Sequence, residues 1–360
     1  MSSLAKIAPT PALTIPATDG TLLSYYIIGS TGPSLIVLPG AMSSALTQLE
    51  LATALSPNYT IYLFSRRNRG LSGPYPTSLT EIKSPLSRNS STSGPTGKKS
   101  SYPIYDPAFS SKVLETDLSD LATLMRHTGV TNLLGISGGA LLVLAALLPE
   151  PVVAMPPITK AIIFEPPLLF PALLADPKII DMSGVKRYEQ EIANGDIAGA
   201  LLAAMKTVQL GPAWIAYVPR WIIKSFSKMI MHAEAKQQSK KKEEGAEGEG
   251  IVTMEALAPV LRYDFALCEA MVGEPERWAD VGAVEGREIL LLGGELSMGY
   301  IKEALRVLEE TMVGKGKAVK RVKVPGVGHE LLENKVRNGK VEKAVGIIKG
   351  FLEGGIESLQ

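Results

Sequence analysis

Cysteine is almost absent from this 360-residue sequence, which contains only Cys268. One cysteine cannot form a disulfide within the chain, and it excludes a cluster of thiolate ligands for a metal ion. A chain that carries no disulfide is typical of a reducing compartment. The sequence therefore predicts a cytoplasmic protein.

Long hydrophobic runs and an excess of charge of one sign are also missing. The most apolar stretch, residues 140–148, is far shorter than the roughly 20 residues of a membrane-spanning helix, and the N-terminus lacks the apolar segment of a secretory signal. The 37 basic and 36 acidic residues leave a net charge of +1, which implies no basic surface for nucleic acid. We expect a small-molecule substrate, no membrane span and no nucleic acid, and a homodimer stays open.

Short apolar strands alternate with amphipathic or apolar helices along most of the chain. This alternation predicts an α/β fold with a mostly parallel sheet and helices on both faces. The predicted strands are 13–15, 22–28, 34–38, 60–64, 131–136, 160–164, 288–292 and 320–324, and the predicted helices are 45–55, 113–127, 140–148, 300–312 and 341–352.

Two segments interrupt this alternation. Residues 73–108 are rich in Ser, Pro, Thr and Gly, which predicts a mobile surface insertion. Residues 166–256 contain helical patterns and end in a charged run at 236–250, which is typical of a solvated loop. We therefore predict a core domain of residues 1–165 and 257–360, with residues 166–256 as a helical lid over the carboxyl ends of the strands.

The sequence Gly135-Ile136-Ser137-Gly138-Gly139 lies where an apolar strand passes into an apolar helix. A serine between small residues at such a turn has its hydroxyl exposed above the sheet, which is the geometry of a nucleophile. Turns of Gly and Ser also occur as ordinary loops, so Ser137 is a candidate nucleophile only if other residues supply a base, an acid and donors for an oxyanion.

The chain has three histidines, and one of them is well placed to act as a base. His329 follows a strand in a glycine-rich loop, from which it could accept the proton of the serine. His127 lies near the end of a helix, where a histidine can simply favour the helix dipole. His232 lies in the predicted lid. The alternative for His329 is an ordinary surface histidine.

Backbone amides are the expected donors to the oxyanion. Gly138 directly follows the serine, and a second donor is expected in the loop that begins at Pro39 and Gly40. Ala41 is the first candidate and Met42 the next. The alternative is a plain Pro-Gly turn.

Together these motifs resemble the α/β-hydrolase superfamily, in its branch with a serine nucleophile and a helical lid. Four segments carry the resemblance, in the expected order. They are Leu38-Pro39-Gly40-Ala41, the loop Ser65–Gly73, the serine turn Gly135–Gly139, called the elbow below, and Gly326-Val327-Gly328-His329. It covers most of the chain apart from 73–108 and 236–250. It implies an eight-stranded, mostly parallel sheet, a Ser-His-acid triad, and arginines at 66, 67 and 69 that pair with acidic groups. Binding of a substrate carboxylate is the alternative role for these arginines.

The acid departs from the family pattern. The superfamily usually has an aspartate a few residues after the glycine that follows the seventh strand, and this loop here reads Gly293-Gly294-Glu295-Leu296-Ser297. Glu165, at the end of the sixth strand, and Glu295 are the two candidates. We favour Glu165 because a charge at the end of an apolar central strand is costly without a partner. Either glutamate could instead cap a helix or pair with an arginine.

The resulting hypothesis is a serine hydrolase that cleaves an ester, lactone or thioester through an acyl-enzyme, without a metal or a cofactor. Aromatic residues of the lid favour a moderately large apolar substrate; they are Phe170, Trp214, Tyr217, Trp221 and Phe226. The alternatives are a lyase or cyclase of the same fold, which breaks a carbon–carbon bond or forms a ring, and a ligand-binding protein without catalysis.

Overall fold

A computed structural model describes residues 11–82, 86, 92–93, 99–100, 103–175, 180–209, 252–313 and 318–359. Part of the predicted lid lies outside the described residues. This part includes the helical pattern at 214–235, with His232, and the charged run at 236–250.

Eight strands form one sheet in the order β1-β2-β4-β3-β5-β6-β7-β8. Strand β2 is antiparallel to both of its neighbours, and all other pairs are parallel. The strands are β1 (Leu13–Pro16), β2 (Leu22–Ile28), β3 (Ser34–Leu38), β4 (Thr60–Phe64), β5 (Asn132–Ile136), β6 (Lys160–Phe164), β7 (Glu288–Gly294) and β8 (Val319–Val324). The predicted eight-stranded, mostly parallel sheet is confirmed.

The helices fill most of the connections between these strands. They are α1 (Leu49–Leu55), α2 (Thr77–Thr80), α3 (Pro107–Thr128), α4 (Gly138–Leu147), α5 (Pro171–Leu174), α6 (Ser183–Ala193), α7 (Ile197–Thr207), α8 (Met254–Leu257), α9 (Leu261–Ala270), α10 (Gly299–Val313) and α11 (Glu342–Gly354). Short 3-10 helices lie at Ala45–Gln48, Ala258–Val260, Pro275–Trp278, Val281–Ala283, Lys335–Arg337 and Gly355–Ser358, and Thr92–Ser93 pairs with Lys99–Ser100. In the part of the chain that the structure describes, no helix combines the length and apolar character needed to cross a bilayer.

The sheet is buried on both faces, as the continuous apolar strands predict. Helices α3, α4, α9 and α10 pack on one face and α1 and α11 on the other. Side chains of a strand alternate between the two faces, so in β5 Leu133 belongs to the first layer and Leu134 to the second. Helix α4 lies innermost, with all of its ten residues buried.

The ends of segment 73–108 are part of the core, which corrects the prediction of a surface insertion for these ends. Tyr75 and Tyr105 are buried, and Tyr75 stacks on Tyr263 with 3.9 Å between ring centroids. Glu269 of α9 accepts hydrogen bonds from the amides of Ile104 and Tyr105. The polar composition of the segment concealed these anchors, because composition averages over a few buried residues.

The described part of the predicted lid contains α5, α6, α7 and the start of α8. Glu189 of α6 pairs with Arg262 of α9 at 2.6 Å and accepts a hydrogen bond from the hydroxyl of Tyr105 at 2.8 Å. The hydroxyl of Tyr188 donates to the carbonyl of Ala258 at 2.6 Å. Buried polar contacts therefore hold α6 on the core next to α9, and its role as a lid stays a prediction.

The burial of α4 predicts a large effect of truncation there. Leu142→Ala removes a fully buried side chain and should lower the free energy of unfolding by about 2–5 kcal/mol. The matched variant Leu22→Ala truncates a leucine that is 54% exposed. It should change the free energy of unfolding by less than about 0.5 kcal/mol. Urea denaturation followed by circular dichroism measures both, and equal losses would contradict the described packing.

Candidate active site

The carboxyl ends of five neighbouring strands lie along one edge of the sheet, where parallel sheets place their sites. Backbone pairing aligns Leu38 with Gly135, Ile136 with Phe164, Phe164 with Leu292, and Gly294 with Val324. The segments that follow these strands contain the candidate nucleophile, base, acids and oxyanion donors, which are Gly40, Ala41, Met42, Ser137, Gly138, Glu165, Glu295 and His329.

Ser137 occupies a strained turn between β5 and α4, with φ of 52° and ψ of −117°. Its amide donates to the carbonyl of Phe164 at 2.9 Å, which fixes the turn to the neighbouring strand. Glycines on either side make this possible. A Cβ on Gly135 would lie 2.6 Å from the Cα of Ala140, and a Cβ on Gly139 would overlap the carbonyl oxygen of Leu38. The half-buried serine therefore lies on a sharp turn that only small neighbours permit.

The loop after β3 packs directly against this turn. A Cβ on Gly40 would lie only 2.9 Å from the Cβ of Ser137, and the amide nitrogen of Ala41 lies 3.6 Å from the point that a Cβ on Gly138 would occupy. Met42 has a φ of 54°, an uncommon conformation for a side chain of this size. The two predicted oxyanion donors, Ala41 and Gly138, are thus neighbours beside the serine.

His329 and Glu165 meet at the same edge. The Nδ1 of His329 lies 2.6 Å from Oε2 of Glu165, and the imidazole lies nearly parallel to the ring of Phe164, with 6.1 Å between centroids. Glu165 is fully buried, whereas the side chain of His329 keeps 23% of its exposure. A hydrogen bond from Nδ1 to the carboxylate leaves Nε2 free to accept a proton.

The second carboxylate oxygen of Glu165 has partners that the sequence analysis did not predict. Oε1 accepts hydrogen bonds from the amide of Gly294, at 2.5 Å, and from the hydroxyl of Ser297. Glu295 is exposed and its carboxylate accepts from the amide of Gly326 at 3.0 Å. Of the two candidate acids, the structure brings Glu165 to His329. The sequence did contain one indication of this contact: Ser297 lies in the loop where the superfamily usually has its aspartate.

Solved structures share this architecture over nearly the whole chain. An α/β hydrolase from Sphaerobacter thermophilus is 21% identical with a TM-score of 0.58, over 93% of this chain and 100% of its own. An esterase from Thermogutta terrifontis is 15% identical with a TM-score of 0.55, over 96% and 99%. An enol-lactonase from Burkholderia xenovorans is 13% identical with a TM-score of 0.52, over 94% and 99%.

The chain has the α/β-hydrolase fold. Identities this low show the fold and leave the reaction open. No protein-family model matches the sequence, and no curated protein sequence matches it either.

Behind the elbow of this α/β-hydrolase fold lies a buried cluster of charges. Arg66 pairs with Asp117 at 2.5 Å and with Asp264 at 2.6 Å, and Arg69 also pairs with Asp264. Arg67 pairs with Asp120 and Asp19. Each arginine is about 1% exposed, so the predicted pairing with acidic groups is confirmed. The carboxylates raise the pKa of Arg66, although burial opposes them.

A second polar cluster connects the segment after His329 to the loop after β3. The Nη1 of Arg337 donates to the carbonyl of Met42 at 2.9 Å and lies 3.6 Å from the carboxylate of Glu333. Glu333 also accepts from Gln48 at 3.3 Å and from Ser43 at 3.5 Å. Burial raises the pKa of Glu333, and Arg337 opposes that shift. No sequence pattern pointed to this cluster.

The remaining described histidine is not at this edge. The Nε2 of His127 lies 3.1 Å from the hydroxyl of Tyr25 of β2, next to the end of α3. Within the described residues, no three His, Cys, Asp or Glu side chains are grouped so that they could hold a metal ion.

The elbow predicts opposite outcomes for two adjacent glycines. Gly139→Ala should destabilise the protein by roughly 1–3 kcal/mol or more, because the methyl group would overlap the carbonyl groups of Leu38 and Pro39 and push the end of β3 away from α4. Gly138→Ala should be tolerated, since a Cβ there has no neighbour closer than 3.5 Å. Thermal unfolding of both variants beside the wild type tests this. A larger decrease in melting temperature for Gly138→Ala than for Gly139→Ala would contradict the described elbow.

Proposed function

We propose that this protein is a serine hydrolase that cleaves an ester, lactone or thioester of a moderately large apolar molecule through an acyl-enzyme. Ser137 is the nucleophile, His329 the general base and Glu165 the acid of the triad. The amides of Ala41 and Gly138 bind the oxyanion.

The hydrogen bond between Glu165 and His329 is the observation that carries this proposal. A carboxylate buried against an imidazole holds one tautomer of the ring and stabilises the imidazolium. A binding protein without catalysis has no need for this arrangement, and a buried carboxylate is costly. The pair lies at the same sheet edge as the strained serine turn, which supports a catalytic role over a binding role.

In the acylation step, Nε2 of His329 takes the proton of the Ser137 hydroxyl while the oxygen attacks the carbonyl carbon. The carbonyl oxygen becomes an oxyanion that the two amides stabilise. The imidazolium then gives its proton to the leaving alcohol or thiol, and the acyl group stays on Ser137. In the second step, His329 takes a proton from water while the water oxygen attacks the acyl carbon. The bond between that carbon and the oxygen of Ser137 then breaks, the acid product leaves, and the imidazolium returns its proton to the serine.

The chemical class of the substrate has one source of support, the names of the structural neighbours. The structural neighbours include proteins named as esterases and an enol-lactonase, which agrees with an oxygen ester or a lactone.

The first test is covalent labelling of Ser137. A fluorophosphonate probe should modify the wild type at Ser137, and Ser137→Ala should lose all labelling. p-Nitrophenyl esters should release one acid and one alcohol per ester cleaved, as hydrolysis requires. The control is Ser110→Ala, which should label like the wild type. Ser110 is a buried serine of α3 that donates to Glu269 rather than to any of the proposed triad residues. A wild-type protein that is not modified by the probe and does not cleave the esters would contradict the hydrolase proposal.

The second test separates the two candidate acids. Glu165→Gln should lower kcat by roughly 10³–10⁴-fold, because the imidazole loses its fixed tautomer and its counter-charge. Glu295→Gln changes an exposed side chain and should lower kcat by less than about threefold. Steady-state kinetics on one ester measures both, and the reverse order of effects would assign the acid to Glu295.

A further inference from the structure

Glu165 and His329 do not lie on adjacent strands. Glu165 follows β6 and His329 follows β8, and the order of the sheet places β7 between them. The side chain of Glu165 lies at the end of β7, because its Oε1 accepts a hydrogen bond from the amide of Gly294. The loop that carries His329 approaches the same strand end, where the amide of Leu296 donates to the carbonyl of Val327 at 2.8 Å. Glu165 and His329 therefore meet at the end of the strand that separates theirs.

The end of β7 consists of two glycines. A Cβ on Gly293 would be in ordinary contact with Glu165, 3.5 Å from Oε1, and would lie 2.6 Å from the side chain of Leu305. A Cβ on Gly294 would lie 2.5 Å from the carbonyl oxygen of Val327, in the loop that carries His329. Gly294 thus allows the histidine loop to pack closely on the strand end that Glu165 also contacts.

Among the described residues, three donors contact the carboxylate. His329 binds Oε2, while the amide of Gly294 and the hydroxyl of Ser297 bind Oε1. The amide is part of the backbone, so in the described part of the chain Ser297 supplies the side-chain hydrogen bond to Oε1. Ser297 is itself 4% exposed, and its hydroxyl donates to the carboxylate from the β7 side.

We propose that Ser297 is a positioning residue for the reaction, which holds Oε1 of Glu165 so that Oε2 stays on Nδ1 of His329. The proposal rests on the proposed function, because it gives Ser297 a role only through the triad acid. Without this hydroxyl the carboxylate could rotate about its terminal torsion, which is broad for glutamate, and the imidazolium would be stabilised less well.

The chain offers a matched control for a buried serine that donates to a buried glutamate. Ser110 of α3 is 3% exposed and donates to Oε2 of Glu269 at 3.4 Å, and Glu269 also accepts from two backbone amides. Ser110→Ala therefore removes a similar contact away from His329. Any effect of Ser297→Ala that exceeds the effect of Ser110→Ala reports on the site rather than on a lost buried hydrogen bond.

The experiment measures ester hydrolysis and fluorophosphonate labelling of full-length variants. Ser297→Ala should lower kcat by roughly tenfold with KM unchanged, since a hydrogen bond to a charged group is lost and substrate binding is not. Ser297→Thr keeps the hydroxyl and should retain kcat within about threefold. Ser110→Ala should match the wild type in kcat and KM.

A double-mutant cycle then asks whether Ser297 acts through Glu165. In a Glu165→Gln background, adding Ser297→Ala should leave the labelling rate unchanged, because the group that it positions is already lost. Equal losses in both backgrounds, or a wild-type kcat for Ser297→Ala, would overturn this proposal alone while labelling of Ser137 still supports the hydrolase. A wild type that does not label overturns the proposed function, and this proposal with it.

Discussion

The buried carboxylate of Glu165 is the group on which the geometry of the candidate site depends. A charge out of water is costly unless hydrogen bonds replace its hydration, and here the donors come from separate segments: Gly294 at the end of β7, Ser297 after β7, and His329 after β8. Because each donor must point at the same two oxygens, the carboxylate fixes the two loops relative to each other. The imidazole of His329 then has one orientation, with Nε2 directed away from the carboxylate of Glu165.

Backbone strain is concentrated around this carboxylate and the serine. Glu165, Ser137 and Met42 all have φ near +50°, a region that costs a non-glycine residue roughly 1–3 kcal/mol. Each of the three directly follows the end of a parallel strand or lies in the loop after one. The strands are buried on both faces, so their packing can sustain strained turns at the edge. The amide of Ser137 bound to the neighbouring strand shows how the sheet holds such a turn in place.

The buried arginines support the same edge from below. Arg66 and Arg69 with Asp117 and Asp264 combine two positive and two negative charges and join the loop after β4 to α3 and α9. Such a cluster is weak evidence for stability, because desolvation offsets much of the attraction between the charges. Its effect on geometry is clearer. The Nη1 of Arg66 and Oδ1 of Asp264 both lie 3.5 Å from the position of a Cβ on Gly138, so the ion pair lies beside the first turn of α4.

The sequence by itself determined the alternating strands and helices, the parallel sheet, the serine elbow and the loops with Ala41 and His329, because these follow from local apolar periodicity and from small residues at turns. Only the tertiary structure decided which glutamate contacts His329. Glu165 and Glu295 follow adjacent strands, and the outcome depends on how the loop that carries His329 packs at the end of β7, which no local pattern records. The burial of Tyr75 and Tyr105 and the contact of Ser297 were undetermined for the same reason. Each depends on partners that are distant in the chain and become neighbours only when the strands take their order in the sheet.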